Sequence, residues 1–253
     1  MNPIQQVWKS AKEKNRVAFI PYITAGYPSL DQTIEQVHIL EESGADIIEL
    51  GIPFSDPTAD GPVLQQAAQQ AINNGFTLVG LWQAITAIRQ KTKIPLVLLV
   101  YYNTIYHYGI ENFTKQCKDL SINGLIIPDL PVEEQEEISP YLDEELYLVP
   151  LVAPTSKKRI AKVIENAKGY IYYISSLGVT GVRSLEKNEI ASEIEIVRKQ
   201  TTLPIAVGFG ISTQADIDEF SSYVDGIIIG TAIVQHFEKG GGKLAYCFEQ
   251  RKD

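Results

Sequence analysis

Short runs of β-branched and aliphatic residues alternate along this chain with stretches whose apolar positions recur at helical spacing. The runs cover residues 17–23, 46–50, 95–101, 124–127, 146–152, 170–174, 204–209 and 226–229, about eight strands. The stretches between them predict helices near 30–43, 61–90 (broken at Asn74-Gly75), 111–120, 132–142, 156–167, 187–199 and 212–222, and a last one near 231–248. A further helix is expected over 2–14, where Ile4, Val7, Trp8 and Ala11 recur at helical spacing. Strict alternation of strand and helix implies parallel pairing, because every return needs a crossover. The runs lack polar alternation, so both faces of the sheet should be covered. The fold class that follows is α/β, a closed (β/α)8 TIM barrel with an additional N-terminal helix; a doubly wound open sheet is the alternative. No linker or composition break divides the chain, so a single domain over residues 1–253 is expected.

Composition narrows the partners. With 253 residues, 45% of them hydrophobic, the chain can bury a substantial core, and its net charge of −9 comes without a basic block. Nucleic acid and anionic membranes are therefore poor candidate partners. No stretch is apolar for long enough to span a bilayer, and the N-terminal residues do not form a secretory signal. Cys117 and Cys247 lie far apart in helical patterns and read as reduced thiols. A soluble, intracellular protein is expected, cytoplasmic or, if organelle-encoded, in the plastid stroma.

In such a barrel chemistry occurs at the C-terminal ends of the strands, and the unusual residues cluster there. Glu49 ends an apolar run, where a charge is costly unless it is paired or used. Asp60 follows on a loop stiffened by Pro53 and Pro57. A carboxylate at a strand end with a second on the next loop suits proton transfer. Asp60 also precedes Gly61-Pro62, where an aspartate can act simply as a helix N-cap, and Asp56 reads as a turn-former. Gly178-Val-Thr-Gly181, Gly208-Phe-Gly210 and Gly230-Thr231 follow the last three strands. Their backbone N–H groups, with the starts of helices near Ser212 and Thr231, suit a phosphate.

Tyr22, Leu99, Ile126, Val152, Tyr172 and Phe209 lie near strand ends and would form an apolar, aromatic wall. A buried Tyr172 hydroxyl would bond either a catalytic carboxylate or a backbone carbonyl. No predicted strand carries a lysine, and His38, His107 and His236 lack metal-ligand spacing. No Gly-x-Gly-x-x-Gly opens a helix after an early strand. These features point to acid–base chemistry, without metal or cofactor, on a phosphorylated aromatic substrate.

Five segments sharpen this reading: Ala18-Phe-Ile-Pro-Tyr-Ile-Thr-Ala-Gly26, Glu49-Leu-Gly-Ile-Pro-Phe-Ser-Asp-Pro-Thr-Ala-Asp-Gly-Pro62, Asp129-Leu-Pro131, Ser175-Ser-Leu-Gly-Val-Thr-Gly181 and Val207-Gly-Phe-Gly-Ile211. With them the chain resembles the tryptophan synthase alpha subunit family essentially from end to end. The resemblance implies a (β/α)8 barrel that cleaves indole-3-glycerol phosphate to indole and glyceraldehyde 3-phosphate. It makes Glu49 and Asp60 catalytic and places Tyr172 in the substrate site. Thr180 and Gly181 fall on the loop that closes over that site, and Phe209, Gly210, Gly230 and Thr231 on the phosphate-binding backbone. Pro53, Asp56 and Pro57 fall on the loop that touches a pyridoxal-phosphate beta subunit in an α2β2 heterotetramer, and the chain needs no cofactor of its own. Thr58 departs from the apolar residue more usual in the family. The rivals are a stand-alone lyase releasing free indole, another phosphosugar barrel enzyme, and a non-catalytic regulatory subunit. The last would be expected to have lost a carboxylate.

Overall fold

The computed structural model describes residues 2–156, 159–174, 187–208 and 210–246, with only the backbone given for Thr155, Lys187 and Asn188. Its strands are β1 (Ala18–Thr24), β2 (Ile48–Gly51), β3 (Leu96–Leu99), β4 (Gly124–Ile126), β5 (Tyr147–Leu148), β6 (Leu151–Val152), β7 (Ile171–Ile174), β8 (Ile205–Gly208) and β9 (Gly226–Ile229). All pair in parallel, in the order β5-β4-β3-β2-β1-β9-β8-β7-β6. The two ends of that order are halves of one segment, expected as a single fifth strand over 146–152. The break falls at Val149-Pro150, because proline brings no N–H to the ladder. Val149 still donates to the Leu125 carbonyl at 2.8 Å, and the Pro150 carbonyl accepts from Tyr172 N–H at 3.0 Å. The broken strand thus bonds to β4 on one side and β7 on the other, which closes the barrel.

Side chains alternate between two apolar layers, as the period of two requires. In β1, Ala18, Ile20 and Tyr22 belong to the barrel interior, while Phe19 and Ile23 pack outward under the helices. Val97, Leu99, Ile126, Tyr147 and Tyr170 join the interior; Leu96, Leu98, Leu125 and Ile171 join the outer layer. Because both layers are dry, the strands read as continuous apolar runs.

The helices are α1 (Pro3–Glu13), α2 (Leu30–Glu42), α3 (Pro62–Asn73), α4 (Leu78–Arg89), α5 (Tyr102–Tyr108), α6 (Ile110–Asp119), α7 (Ile160–Ile164), α8 (Lys187–Arg198), α9 (Gln214–Phe220) and α10 (Thr231–Glu238). The side chains of Asn2, Ser29 and Thr77 cap α1, α2 and α4. The break expected at Asn74-Gly75 separates α3 from α4, with Gly75 at φ 85°. Other stretches depart from the pattern. Residues 132–142 form two 3-10 pieces, Val132–Glu137 and Ser139–Tyr141, instead of an α-helix. That run carries Glu133, Glu134, Glu136 and Glu137, and Ile138 alone is buried there, too little apolar surface to hold a full helix. The helix expected over 156–167 shortens to α7, and the last one ends at Glu238, before Gly240-Gly241-Gly242. Helix α5 was not expected, since its aromatic sequence carries no clear helical stripe; the Asp129 carboxylate accepts from its first N–H, at Tyr102, at 2.8 Å. Among the described residues no helix is long and apolar enough to cross a membrane.

Candidate active site

Glu49 is the second residue of β2, facing the barrel interior and fully buried, so it lies inside the strand and not at the rim as the sequence suggested. Its Oε1 accepts from the Tyr170 hydroxyl at 3.2 Å, while Oε2 has no hydrogen-bond partner among the described residues. Burial pushes this carboxyl up to about 8, although the Tyr170 bond lowers it. Gly51, next on the same face, leaves its side-chain space to the Tyr22 ring, whose hydroxyl would lie 1.9 Å from an added Cβ.

Asp60 is buried to 9% exposure and pushed up to about 6 by the same cause. It does not cap α3: Gly61 is the N-cap and no side chain bonds there. Its carboxylate takes no hydrogen bond from the described residues, and a carboxylate so placed is available to a ligand. The loop carrying it is fixed from behind. The Tyr101 hydroxyl accepts from Ala59 N–H at 2.9 Å, and the Tyr101 ring stacks on Phe54 with centroids 4.9 Å apart.

A cavity of about 440 Å³ opens at the C-terminal ends of the strands, within the size range of small-molecule sites. Tyr22, Asp60, Leu99 and Tyr172 line it, as do Gly210, Gly230 and Thr231 after β8 and β9. Glu49 lies beneath this wall, and its charge is felt by both Tyr22 and Tyr172, which also feel Asp60. Tyr172 owes its place to Gly208, where an added Cβ would come within 2.5 Å of the Tyr172 hydroxyl.

Several expected wall residues are displaced. Val152 packs in the outer layer, and its neighbour Leu151 lines the cavity instead, because the break at Pro150 sets which residue faces inward. Ile126 faces the interior but lies below the cavity. The tyrosine that holds Glu49 is Tyr170, not Tyr172; the two share a strand face, and only the register across the barrel decides between them. Pro53 is buried, whereas Asp56 is exposed and Pro57 half-buried. Thr180, Gly181 and Phe209 lie outside the described residues.

The two helix starts expected near the phosphate differ. At α9, Asp216 already accepts from Ser212 N–H at 3.2 Å and Thr213 N–H at 3.0 Å, in a capping box. A carboxylate of the same sign as the ligand thus occupies that end. Helix α10 has Gly230 as N-cap and no side-chain cap, and Thr231 and Ala232, whose N–H groups have no intrahelical acceptor, line the cavity. Among the described residues no group of His, Cys, Asp and Glu side chains is arranged to hold a metal.

A family model described as "Tryptophan synthase alpha chain" matches residues 8–252. A tryptophan synthase alpha chain of Thermoanaerobacter sp. is 47% identical over 244 residues, 96% of this chain and 93% of that one. One from Alkaliphilus metalliredigens is 44% identical over 92% of this chain and 88% of its own length. Among solved structures, tryptophan synthase subunit alpha from Legionella pneumophila superposes with a TM-score of 0.87 at 33% identity, covering 95% of this chain and 92% of that one. A Mycobacterium tuberculosis tryptophan synthase structure gives 0.86 at 32%, covering 93% and 91%. A closed parallel barrel, two buried carboxylates beside its mouth and a match along nearly the whole sequence agree: this chain belongs to the tryptophan synthase alpha chain family.

Proposed function

We propose that Glu49 is the general acid and Asp60 the electrostatic stabiliser of the family's lyase reaction, the cleavage of indole-3-glycerol phosphate to indole and glyceraldehyde 3-phosphate. The carrying observation is the state of Glu49: a buried carboxyl raised to about 8, with one oxygen held by Tyr170 and the other without a partner. Such a group is protonated at neutral pH and can give its proton to carbon. Protonation of indole C3 makes the ring nitrogen cationic. The Glu49 carboxylate then takes the proton of the hydroxyl on the adjoining side-chain carbon, a carbonyl forms, and the carbon–carbon bond breaks. Its electrons return through C3 to the nitrogen, and Glu49 ends as it began. Asp60, ionised above pH 6, accepts the indole N–H bond and offsets the transient positive charge. Leu99, Leu151 and Ile228 supply the apolar wall for the ring, and the start of α10 with Gly210 grips the phosphate.

The reaction as written needs no cofactor on this chain; pyridoxal phosphate belongs to the beta subunit with which the family functions. We place the beta subunit against the exposed Asp56 and half-buried Pro57, in an α2β2 assembly. The test is indole release by Glu49→Gln. It should fall by about 10²–10⁴-fold while substrate binding persists. Near-normal release would remove Glu49 from the chemistry.

A further inference from the structure

Support for Glu49 continues downward through the barrel to its N-terminal plug. Tyr170, which donates to Glu49 at 3.2 Å, rests its ring on Trp8 of α1, with centroids 5.3 Å apart and planes at 52°. Trp8 is buried in the interior layer with Tyr170, Ile4 and Ala18. The far edge of its indole lies against Gly226 of β9, where an added Cβ would come within 2.6 Å of Cη2. Helix α1 is itself anchored, because the Asn2 side-chain amide donates to the carbonyls of Asn123 and Glu145, both at 2.9 Å. The Trp8 indole N–H has no partner among the described residues. What Trp8 supplies is therefore ring contact and shape, not a hydrogen bond.

We infer that Trp8 is a positioning residue for the lyase reaction: its ring braces Tyr170, which fixes one oxygen of Glu49 and so aims the other. This inference rests on Glu49 being the acid. A packed aromatic ring has few ways to yield, so the brace limits how far the Tyr170 hydroxyl can drift from Oε1. Small displacements of an acid from its target carbon cost rate without weakening substrate binding elsewhere. The N-terminal helix, which lies at the end of the barrel away from the cavity, thereby acts on kcat.

The experiment is a double-mutant cycle on indole-3-glycerol phosphate cleavage with Trp8→Ala, Tyr170→Phe and the pair, measured beside Trp8→Phe and Glu49→Gln. Trp8→Ala and Tyr170→Phe should each lower kcat by about tenfold with KM within about twofold, and the pair should be no slower than the worse single. Trp8→Phe keeps a ring against Tyr170 and loses the unpartnered donor, so it should restore most of the rate. Should Trp8→Ala not fold, Trp8→Leu, which fills space without an aromatic face, takes its place in the cycle. Multiplying losses in the pair, or a normal kcat in the Trp8 variant despite a lower melting temperature, would overturn the brace. If Glu49→Gln still turns over at the normal rate, the acid assignment falls and the brace falls with it. If Glu49→Gln is inactive and the cycle multiplies, only the role of Trp8 is lost.

Discussion

Glu49 and Asp60 are both destabilised as anions by burial, yet to different extents, and the gap between them defines a working range. The acid must carry its proton, so activity should fall as pH rises through about 8, where Glu49 ionises. The stabiliser must be charged, so activity should fall as pH drops through about 6, where Asp60 gains a proton. The profile of kcat/KM against pH should therefore be a bell with its top between these values. Asp60→Asn should lose the acidic limb along with much of the rate, and Tyr170→Phe should move the basic limb upward, since the Tyr170 bond is what lowers the Glu49 value. A flat profile from pH 5 to 9 would contradict both assignments.

Each βα unit contributes through what its strand turns inward. Strand β8 ends in Gly208, and Tyr172 of β7 occupies the space a side chain there would need. Gly208→Ala is thus a local test of the cavity wall. Overpacking costs about 1–3 kcal/mol in stability, but the displaced tyrosine should cost more in catalysis, with kcat/KM lower by tenfold or more. Steady-state kinetics beside thermal unfolding separate the two; an unchanged kcat/KM would take Tyr172 off the substrate. The two late helices show how one residue changes an element's role. Helices α9 and α10 both follow glycine-rich strand ends, but Asp216 fills the start of α9 while α10 stays open to the cavity.

Across the molecule, the rim of the barrel links the loop that carries Asp60 to the outside. The segment after β2 carries the exposed Asp56 and ends at Asp60, and Tyr101, the N-cap of α5 just past β3, holds it by stacking on Phe54 and accepting from Ala59. A beta subunit bound at Asp56 would act on a segment that already contains the carboxylate proposed to stabilise the reaction. Indole release should therefore rise severalfold or more when a beta subunit is added. Tyr101→Phe, which leaves the Ala59 N–H without its acceptor, should shrink that gain more than it slows the isolated chain. Equal rates with and without the partner would count against the linkage.

The sequence alone carried the alternation of strand and helix, and with it the parallel barrel, because runs apolar on both faces can only be buried on both. It also exposed Glu49 and Asp60, since acids interrupting an apolar run or closing a proline-rich loop stand out without any coordinates. It did not reveal which neighbour on a strand faces the cavity. Leu151 replaced Val152 because Pro150 breaks the ladder, and register across the barrel gives the bond to Glu49 to Tyr170, leaving Tyr172 in the cavity wall. Helix α5 and the 3-10 pieces escaped for a related reason: Asp129, far along the chain, starts the one, and weak burial shortens the other. Periodicity is a property of the local chain, whereas contacts between residues 121 positions apart, as between Glu49 and Tyr170, exist only once the barrel has closed.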